Sequence, residues 1–398
     1  MSSTLDTETH TGTTPLLAAV DELVPLLRAN AAEAERTRRI PQQSIRALAD
    51  AGAFRMTTPR RYGGSETDIV ELTRVLDAIG RGCGSTSWVT SLHAVGSYFV
   101  GRYDDRAQDE VWADGPDSRV ASVFSPGGLL TPVDGGYLLS GRWPFNTGCR
   151  SATWDAVAAR VDGPADGPPE ILLALVPMSE LTIADDWHPS GLAGTGSNTT
   201  VAESVFVPEH RLLPVAEALA GGTRSVANAD ADLYHCALFP FVLVSSTGTP
   251  LGMARAAMDH FRERAPGRMI TYTGWAVAEA QTTHVTVADA AVNIRAAELL
   301  ARDLTERLRA AAIARRDPGV AERAAIRAES AHVVRLSRLA VEALNSISGA
   351  SSIQGDVPIQ RVFRDIEALS LHAALNLNTN LEVHGRVLMG QDPATPFL

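Results

Sequence analysis

Two histidines and one threonine sit where their types and spacing suit chemistry. His372 lies in the stretch SLHAALN, and counting on by fours gives Asn376, Asn380 and His384. Residues four apart stack on one side of a helix, so the spacing predicts a polar stripe on a helix otherwise rich in Leu and Ala. Such a stripe is either solvated or lines a cavity. In a cavity, His372 suits a general base, because an unperturbed imidazole titrates at ~6.5. His93, in SWVTSLHAVGSYF, has the small or apolar Val89, Thr90, Gly96 and Ser97 three and four residues away. That leaves it a packed structural histidine or a side chain aimed at a ligand. Trp88 and Tyr98 beside it either wall a flat pocket or pack. Thr147 falls in the turn of GRWPFNTGCRSATW, Gly141–Trp154, where a hydroxyl and free backbone N–H groups can donate to a ligand. The other reading of that turn is an ordinary glycine-rich hairpin.

Further motifs flank these residues. WHPSGLAGTGSNTTVAESVFVP spans Trp187–Pro208. Its Gly191, Gly194 and Gly196 lack a Cβ and permit close backbone approach to a ligand, with Thr195 and Ser197 alongside. PIQRVFRDIEALSLHAALN, Pro358–Asn376, opens on Arg361, Arg364 and Asp365, which suit either a cofactor or a capping and ion-pair cluster. Arg268 and Gln281 flank MITYTGWAVAEA. There is no GxGxxG after a strand, no P-loop and no HExxH, and His and acidic residues never cluster at metal-ligand spacing. These absences disfavour metal chemistry and a nicotinamide Rossmann site.

Three textures position these motifs. From Pro15 to about Ala113 apolar residues recur three and four apart, as in LLAAVDELVPLLRANAAEAERTRRIP, which predicts helices. From Arg119 to Leu213 short runs such as RVASVF, WDAVAARV and EILLALVP alternate with Gly/Pro punctuation, which predicts strands. DGPADGPP reads as a turn-rich loop on their edge. From about Asp230 the pattern is helical again, with four long helices joined by short links, the last running from Val357 to Gly390. The expected organisation is a disordered tail at 1–14, a helical domain at 15–117, a β domain at 118–226 and a four-helix bundle at 227–398.

Composition narrows the partners. The chain has 398 residues, 45 % apolar and 20 % charged, with a formal net charge of -11. All its basic residues are arginines and none form a basic stripe, which argues against nucleic acid. Cys83, Cys149 and Cys236 are odd in number, widely spaced and outside any CxxC pair, so a reduced, cytoplasmic protein is expected. The polar, Thr-rich start does not read as a signal peptide, and no apolar run reaches the ~18 residues that span a membrane.

The order helical domain, β domain, helical bundle, taken with the quoted motifs, resembles the acyl-CoA dehydrogenase superfamily. The resemblance implies an α+β multidomain fold of that type, with a β-barrel or sandwich at its centre. The G-x-W-x-F-x-[ST]-G form of Trp143, Phe145, Asn146, Thr147 and Gly148 is similar to the segment that the oxygenase branch lays against the flavin ring. Gly194, Thr195 and Ser197 match the family's G-[ML]-x-G-[ST]-x-[ST] turn, and Arg361 its cofactor-proximal helix start. Arg268 and Gln281 partly match a pyrophosphate-binding run that acts across a subunit interface, with Tyr272 and Gly274 in place of its F-G pair. That match favours FAD over FMN.

The catalytic glutamate of an E-G-T segment, which many dehydrogenases of the family use, is missing. His372 stands where the oxygenase branch tends to carry a histidine. What the resemblance implies is therefore a two-component monooxygenase, using reduced flavin and O2 through a C4a-hydroperoxyflavin to hydroxylate an aromatic, indole-like or polycyclic substrate. His372 would be the base, His93 and Thr147 would act on the flavin, and Trp88, His93 and Asn376 would line the substrate pocket. A separate NAD(P)H flavin reductase and a homotetrameric assembly are implied too. The alternatives are an amine or amino-sugar N-oxygenase on the same fold and a true acyl-CoA dehydrogenase whose base is Glu367 or Glu382. More distant is a thiolation-domain binding module without chemistry.

Overall fold

The computed structural model describes residues 13–163 and 170–398. Most of the expected tail and part of the DGPADGPP loop lie outside the described residues. Five helices come first: α1 (Pro15–Thr37), α2 (Gln42–Asp50), α3 (Ile69–Gly82), α4 (Gly84–Val100) and α5 (Asp105–Val111). The Thr14 hydroxyl accepts from Leu17 N–H and Pro15 occupies the first turn, so α1 starts where its sequence signals it. Its buried Leu17, Val20, Leu27, Ala31 and Ala34 form one stripe. Asp68 caps α3 through the N–H groups of Val70 and Glu71. Helix α4 differs, being buried on almost every side. It therefore serves as a central post that other elements pack around.

Strands β1 (Val120–Val133), β2 (Gly136–Trp143), β3 (Trp154–Val161), β4 (Ile171–Pro177), β5 (Thr182–Ile183), β6 (Thr200–Pro208) and β7 (Leu212–Pro214) follow. By hydrogen bonding they form one continuous seven-stranded sheet in the order β5-β6-β2-β1-β3-β4-β7, and β4 approaches β6, which is not its neighbour in that order, so the sheet curls over its own inner face. Strand β1 runs parallel to β3, with its register jumping between Val123 and Gly128. The inner face buries Leu130, Leu139, Val157, Leu172, Ala174 and Val207 around Trp143. The Trp143 indole is fully buried and its N–H donates to Ala158 O at 2.7 Å. A Cβ on Gly128 would come within 2.5 Å of the same ring. Trp143 therefore fills the sheet core and has no surface left for a cofactor, which corrects the expectation for it.

The rest is mostly helical: α6 (Val215–Leu219), α7 (Leu238–Ser245), α8 (Gly248–Arg264), the hairpin β8 (Met269–Ile270) and β9 (Trp275–Ala276), α9 (Gln281–Ile313), α10 (Val320–Ser346), α11 (Pro358–Ser370) and α12 (Leu377–Leu388). The expected last helix is thus two helices with a turn between them. Asn376 causes the break: its side-chain oxygen accepts from Thr379 N–H at 3.2 Å and caps α12. Asparagine offers the backbone this local alternative to continuing a helix. The buried Asn380 secures the turn by donating to Ala374 O and Asn376 O. His372 and Asn376 accordingly do not share a helix face with Asn380 and His384. No helix among the described residues is long and apolar enough to cross a membrane.

Candidate active site

The two glycine-containing turns form one ledge. Phe145 at φ +60° and Gly148 at φ +76° reverse the chain after β2. Asn146 N–H donates to Asn198 O at 3.2 Å and Gly148 N–H to Thr195 O at 3.1 Å. The hydroxyls of Thr147, Ser197 and Thr195 lie in a row, at 2.9 Å and 2.8 Å between neighbours, and Thr195 donates onward to Leu192 O. Among the described residues the backbone N–H groups of Thr147 and Ser197 make no hydrogen bond. The ledge thus carries spare donors. Phe145 beside it is 74 % exposed and meets Trp187 edge-on at 5.9 Å.

The Asn146 side chain points the other way. Its amide is fully buried and donates to Asp155 at 2.6 Å and to Thr200 at 2.9 Å, so only its backbone belongs to the ledge. Burial raises the Asp155 carboxyl to about 7 against the hydrogen bonds from Thr200 and Asn146. Gly194 has a packing reason of its own. A Cβ there would stand 3.0 Å from Ala34 and from Ser85, so the glycine lets α1 and α4 close on the turn.

Helix α11 clamps the second turn from outside. A Cβ on Gly191 would lie 2.0 Å from Arg364 O. Asp365 accepts from Leu192 N–H at 2.6 Å, and Arg364 donates to Ser190 O and pairs with Glu35 of α1. Arg361, buried, stands 3.8 Å from the same Glu35 carboxylate. Of the two readings of this cluster, the ion-pair joint is the one observed, and Arg361 is withdrawn as a cofactor contact.

Helix α4 ties the ledge to His372. Ser85, Trp88, Val89 and His93 follow at helical spacing, so they look to one side. Ser85 meets Gly194, while Val89 and His93 press on Gly148, where a Cβ would lie 3.1 Å and 3.0 Å from them. The Trp88 ring meets His372 in a T-shaped contact at 5.2 Å. Trp88, Leu192, Ile366, Leu369 and Leu375 share one apolar cluster that joins α4, the second turn, α11 and the turn after it. Tyr98 belongs to the core, with its ring stacked on Phe241 at 4.0 Å.

The two histidines differ. His93 is 1 % exposed, and its Nδ1 lies 3.2 Å from Val120 O and its Nε2 3.0 Å from Ser151 Oγ. Burial lowers it to about 3 and keeps it neutral. Ser151 was invisible from sequence, because nothing local links it to a histidine 58 positions away. His372 lies in the turn between α11 and α12, exposed at its edge, with Nδ1 accepting from Ala374 N–H at 3.3 Å. Crowding by the surrounding protein lowers it to about 4. Solvent at the open ring edge moderates that depression. The bond from Ala374 assigns the neutral ring's proton to Nε2, so His372 offers an N–H outward. Asn376, half-buried, spends its side-chain oxygen on the helix cap, which leaves only its amide N–H2 group for a pocket.

Arg268 donates to Ser348 O at 2.9 Å and Ser351 Oγ at 3.2 Å, and Arg264 reaches the same two groups. Neither arginine pairs with a carboxylate among the described residues. With Arg28, His260 and Glu263 they border a cavity of about 240 Å³. Gln281 is exposed at the start of α9 and makes no hydrogen bond to Arg268. The two candidate dehydrogenase bases are engaged or remote: Glu367 pairs with Arg338 at 3.2 Å, and Glu382 is exposed beside Arg386.

A helical, sheet, helical chain with a donor-bearing ledge facing a central helix defines a flavoprotein of dehydrogenase type. Residues 18–115 match the family described as acyl-CoA dehydrogenase, N-terminal domain, and residues 245–377 its C-terminal domain. The chain is 32 % identical over 390 residues to the FADH2-dependent resorcinol hydroxylase, oxygenase component, of a Rhizobium species, covering 95 % of each. The structure of the HsaA monooxygenase from M. tuberculosis superposes with a TM-score of 0.89 at 31 % identity, covering 96 % of this chain and 99 % of that one. XiaF from a Streptomyces species, in complex with FADH2 and glycerol, does so with a TM-score of 0.89 at 31 % identity, covering 96 % and 97 %. The chain belongs to the acyl-CoA dehydrogenase superfamily, in its branch of flavin-dependent monooxygenase oxygenase components.

Proposed function

We propose that this oxygenase component binds reduced FAD, takes it from a separate NAD(P)H-dependent flavin reductase, and uses it with O2 to hydroxylate an aromatic ring. What the flavin supplies when bound is the electron pair with which O2 is split, one oxygen going to the ring and the other to water. The observation that carries the reading is the bridge made by α4, which presses His93 on the Gly148 ledge while Trp88 holds His372.

The residues fit a flavin at two places. The unengaged N–H groups of Thr147 and Ser197 are donors for the polar edge of a flavin ring, and the exposed Phe145 offers an apolar face. The Arg264–Arg268 pair, which makes no ion pair among the described residues although Glu263 borders the same cavity, suits a pyrophosphate, which FMN lacks. At the other end, the Trp88 face and the His372 N–H suit a flat ring bearing a hydroxyl. The His372 Nε2–H donates to the substrate oxygen as that oxygen's proton passes to solvent at the exposed edge of the ring, and the ring carbon becomes nucleophilic. Resorcinol hydroxylase among the relatives supports a phenol over an amine or amino sugar.

A homotetramer fits the same reading. Val285, Val292 and Leu299 form an exposed apolar stripe on α9, and the hairpin carries exposed Met269, Tyr272 and Trp275. The test mixes the chain with chemically reduced FAD, O2 and a panel of phenols and indoles. Expected are tighter binding of reduced than oxidised FAD and hydroxylated product accounting for most O2 consumed. Tight retention of oxidised FAD with rapid oxidation of acyl-CoA substrates would overturn the proposal.

A further inference from the structure

Helix α12 is tied back to the His372 turn by one side chain. Asn380, fully buried, donates to Ala374 O at 3.0 Å and to Asn376 O at 2.9 Å. Asn376 O also takes the Asn380 N–H, but no backbone N–H among the described residues reaches Ala374 O. The Asn380 amide is the donor that carbonyl has. Ala374 is also the residue whose own N–H donates to His372 Nδ1, at 3.3 Å. Trp88 fixes the place of the His372 ring, and the Ala374 N–H is the contact, among the described residues, that distinguishes its two nitrogens.

Arg327 of α10 decides which way the Asn380 amide faces. Its Nε–H donates to Asn380 Oδ1 at 2.8 Å, and Nη1 donates to Phe397 O. Turned over, the amide would set its N–H2 against the guanidinium and its oxygen against two carbonyls. A single orientation therefore satisfies all three contacts. The Arg327 guanidinium is buried, and burial lowers its hold on its proton, with no carboxylate paired to it among the described residues. A buried charge without a counter-ion is costly, so gluing α10 to α12 is a poor reason to keep one. What arginine adds is a rigid planar fork that reaches two acceptors at once. The fork lies over the Phe239 ring at 5.0 Å, and Phe239 packs on Phe397 at 5.7 Å and on the apolar cluster of Trp88 and Leu375. Arg327 thus meets both holders of His372, Ala374 by way of Asn380 and the Trp88 cluster by way of Phe239.

We propose that Asn380 and Arg327 are positioning residues for His372: acting through Ala374, they keep Nδ1 as the acceptor and Nε2–H as the group turned to the substrate. Asn380 holds the turn, and Arg327 holds Asn380 in the orientation that can do so. The proposal deepens the monooxygenase reading and rests on it for the meaning of the His372 N–H.

The test uses full-length chain with 15N-labelled histidine and reads the His372 ring nitrogens by NMR, assigned by H372Q. N380D keeps an acceptor for Arg327, and its carboxylate pairs with that buried charge, but it has no donor for Ala374 O. In N380D the ratio of Nε2–H to Nδ1–H should fall by up to about tenfold, the weight of one hydrogen bond. R327M, which frees the amide to turn, should shift the ratio in the same direction by less, and N380D/R327M no further than N380D. N380A covers the case in which N380D fails to fold. With reduced FAD, O2 and a phenol, N380D should slow product formation by no more than H372A does, at unchanged affinity for reduced FAD. Placed in the H372A chain, N380D should change product formation by no more than about twofold. Ring-nitrogen signals of N380D identical to wild type would overturn the proposal, as would an N380D loss of the same size in the H372A chain. The ring measurement on the flavin-free chain reports on positioning alone, whereas failure to bind reduced FAD counts against the monooxygenase reading alone.

Discussion

Replacing His372 separates two ways of handling a phenol proton. The Ala374 N–H bond to Nδ1, at 3.3 Å, leaves Nε2–H as the group His372 offers to a substrate. As a donor to a developing phenolate it makes a hydrogen bond to a charged group, worth about 1.5–3 kcal/mol, or about 10- to 150-fold in rate. As a general base it would first have to give up the Ala374 bond, and its loss would cost about 10²–10⁴-fold. H372A removes both functions. H372Q keeps an N–H but cannot take up a proton near neutrality. The assay is single-turnover product formation from pre-bound reduced FAD and O2, with flavin oxidation followed in parallel. H372A should slow product formation and leave flavin oxidation by O2 largely unchanged, and H372Q should recover to within about tenfold of wild type. An H372Q variant as slow as H372A would refute the donor role, and an unimpaired H372A would remove His372 from the reaction. The pH dependence follows from the depressed His372, lowered to about 4. The ring is therefore neutral near pH 7, and protonation at Nδ1 would leave Nε2–H in place, so a donor's rate should stay level as pH falls below about 5, whereas a general base's rate would fall as the ring takes up a proton.

Two other outcomes follow from the structure. Changing both Arg264 and Arg268 to Ala should weaken reduced FAD about 10- to 150-fold or more, because charge-assisted bonds to a pyrophosphate are lost, while reduced FMN binding stays within about twofold; anaerobic equilibrium dialysis measures both, and equal losses would count against the pyrophosphate site. Asp155, raised by burial to about 7 from its usual 3.8, binds its proton more tightly folded than unfolded. Its contribution therefore falls as pH rises from about 4 to about 7 and is level above, so D155N should flatten that part of the melting-temperature profile between pH 5 and 8 relative to wild type. Parallel profiles for the two proteins would show that Asp155 does not titrate there.

Local sequence carried the helices with one apolar face, because periodicity and caps are read within a single turn. The periodic run from Pro15 announces α1, and the punctuated runs between Arg119 and Leu213 announce the strands. The two glycine turns were legible as motifs, and the missing E-G-T glutamate set the branch apart before any geometry was known. What local sequence could not decide was direction and partnership. Helix α4 is buried on nearly all sides, so its apolar pattern points nowhere, and only packing shows that Trp88 turns to His372 while His93 turns to Gly148. Trp143 and Asn146 sit inside a cofactor motif, yet the sheet takes both side chains into its interior. The every-fourth-residue stripe after His372 suggested one helix, but the Asn376 side chain competes for the backbone and ends it. The hydroxyl row from Thr147 to Ser197 spans 50 positions, and the His93–Ser151 contact spans 58. The first arises from the pairing of β2 with β6 and the second from how the helical and sheet regions pack, and no local pattern in the chain encodes either.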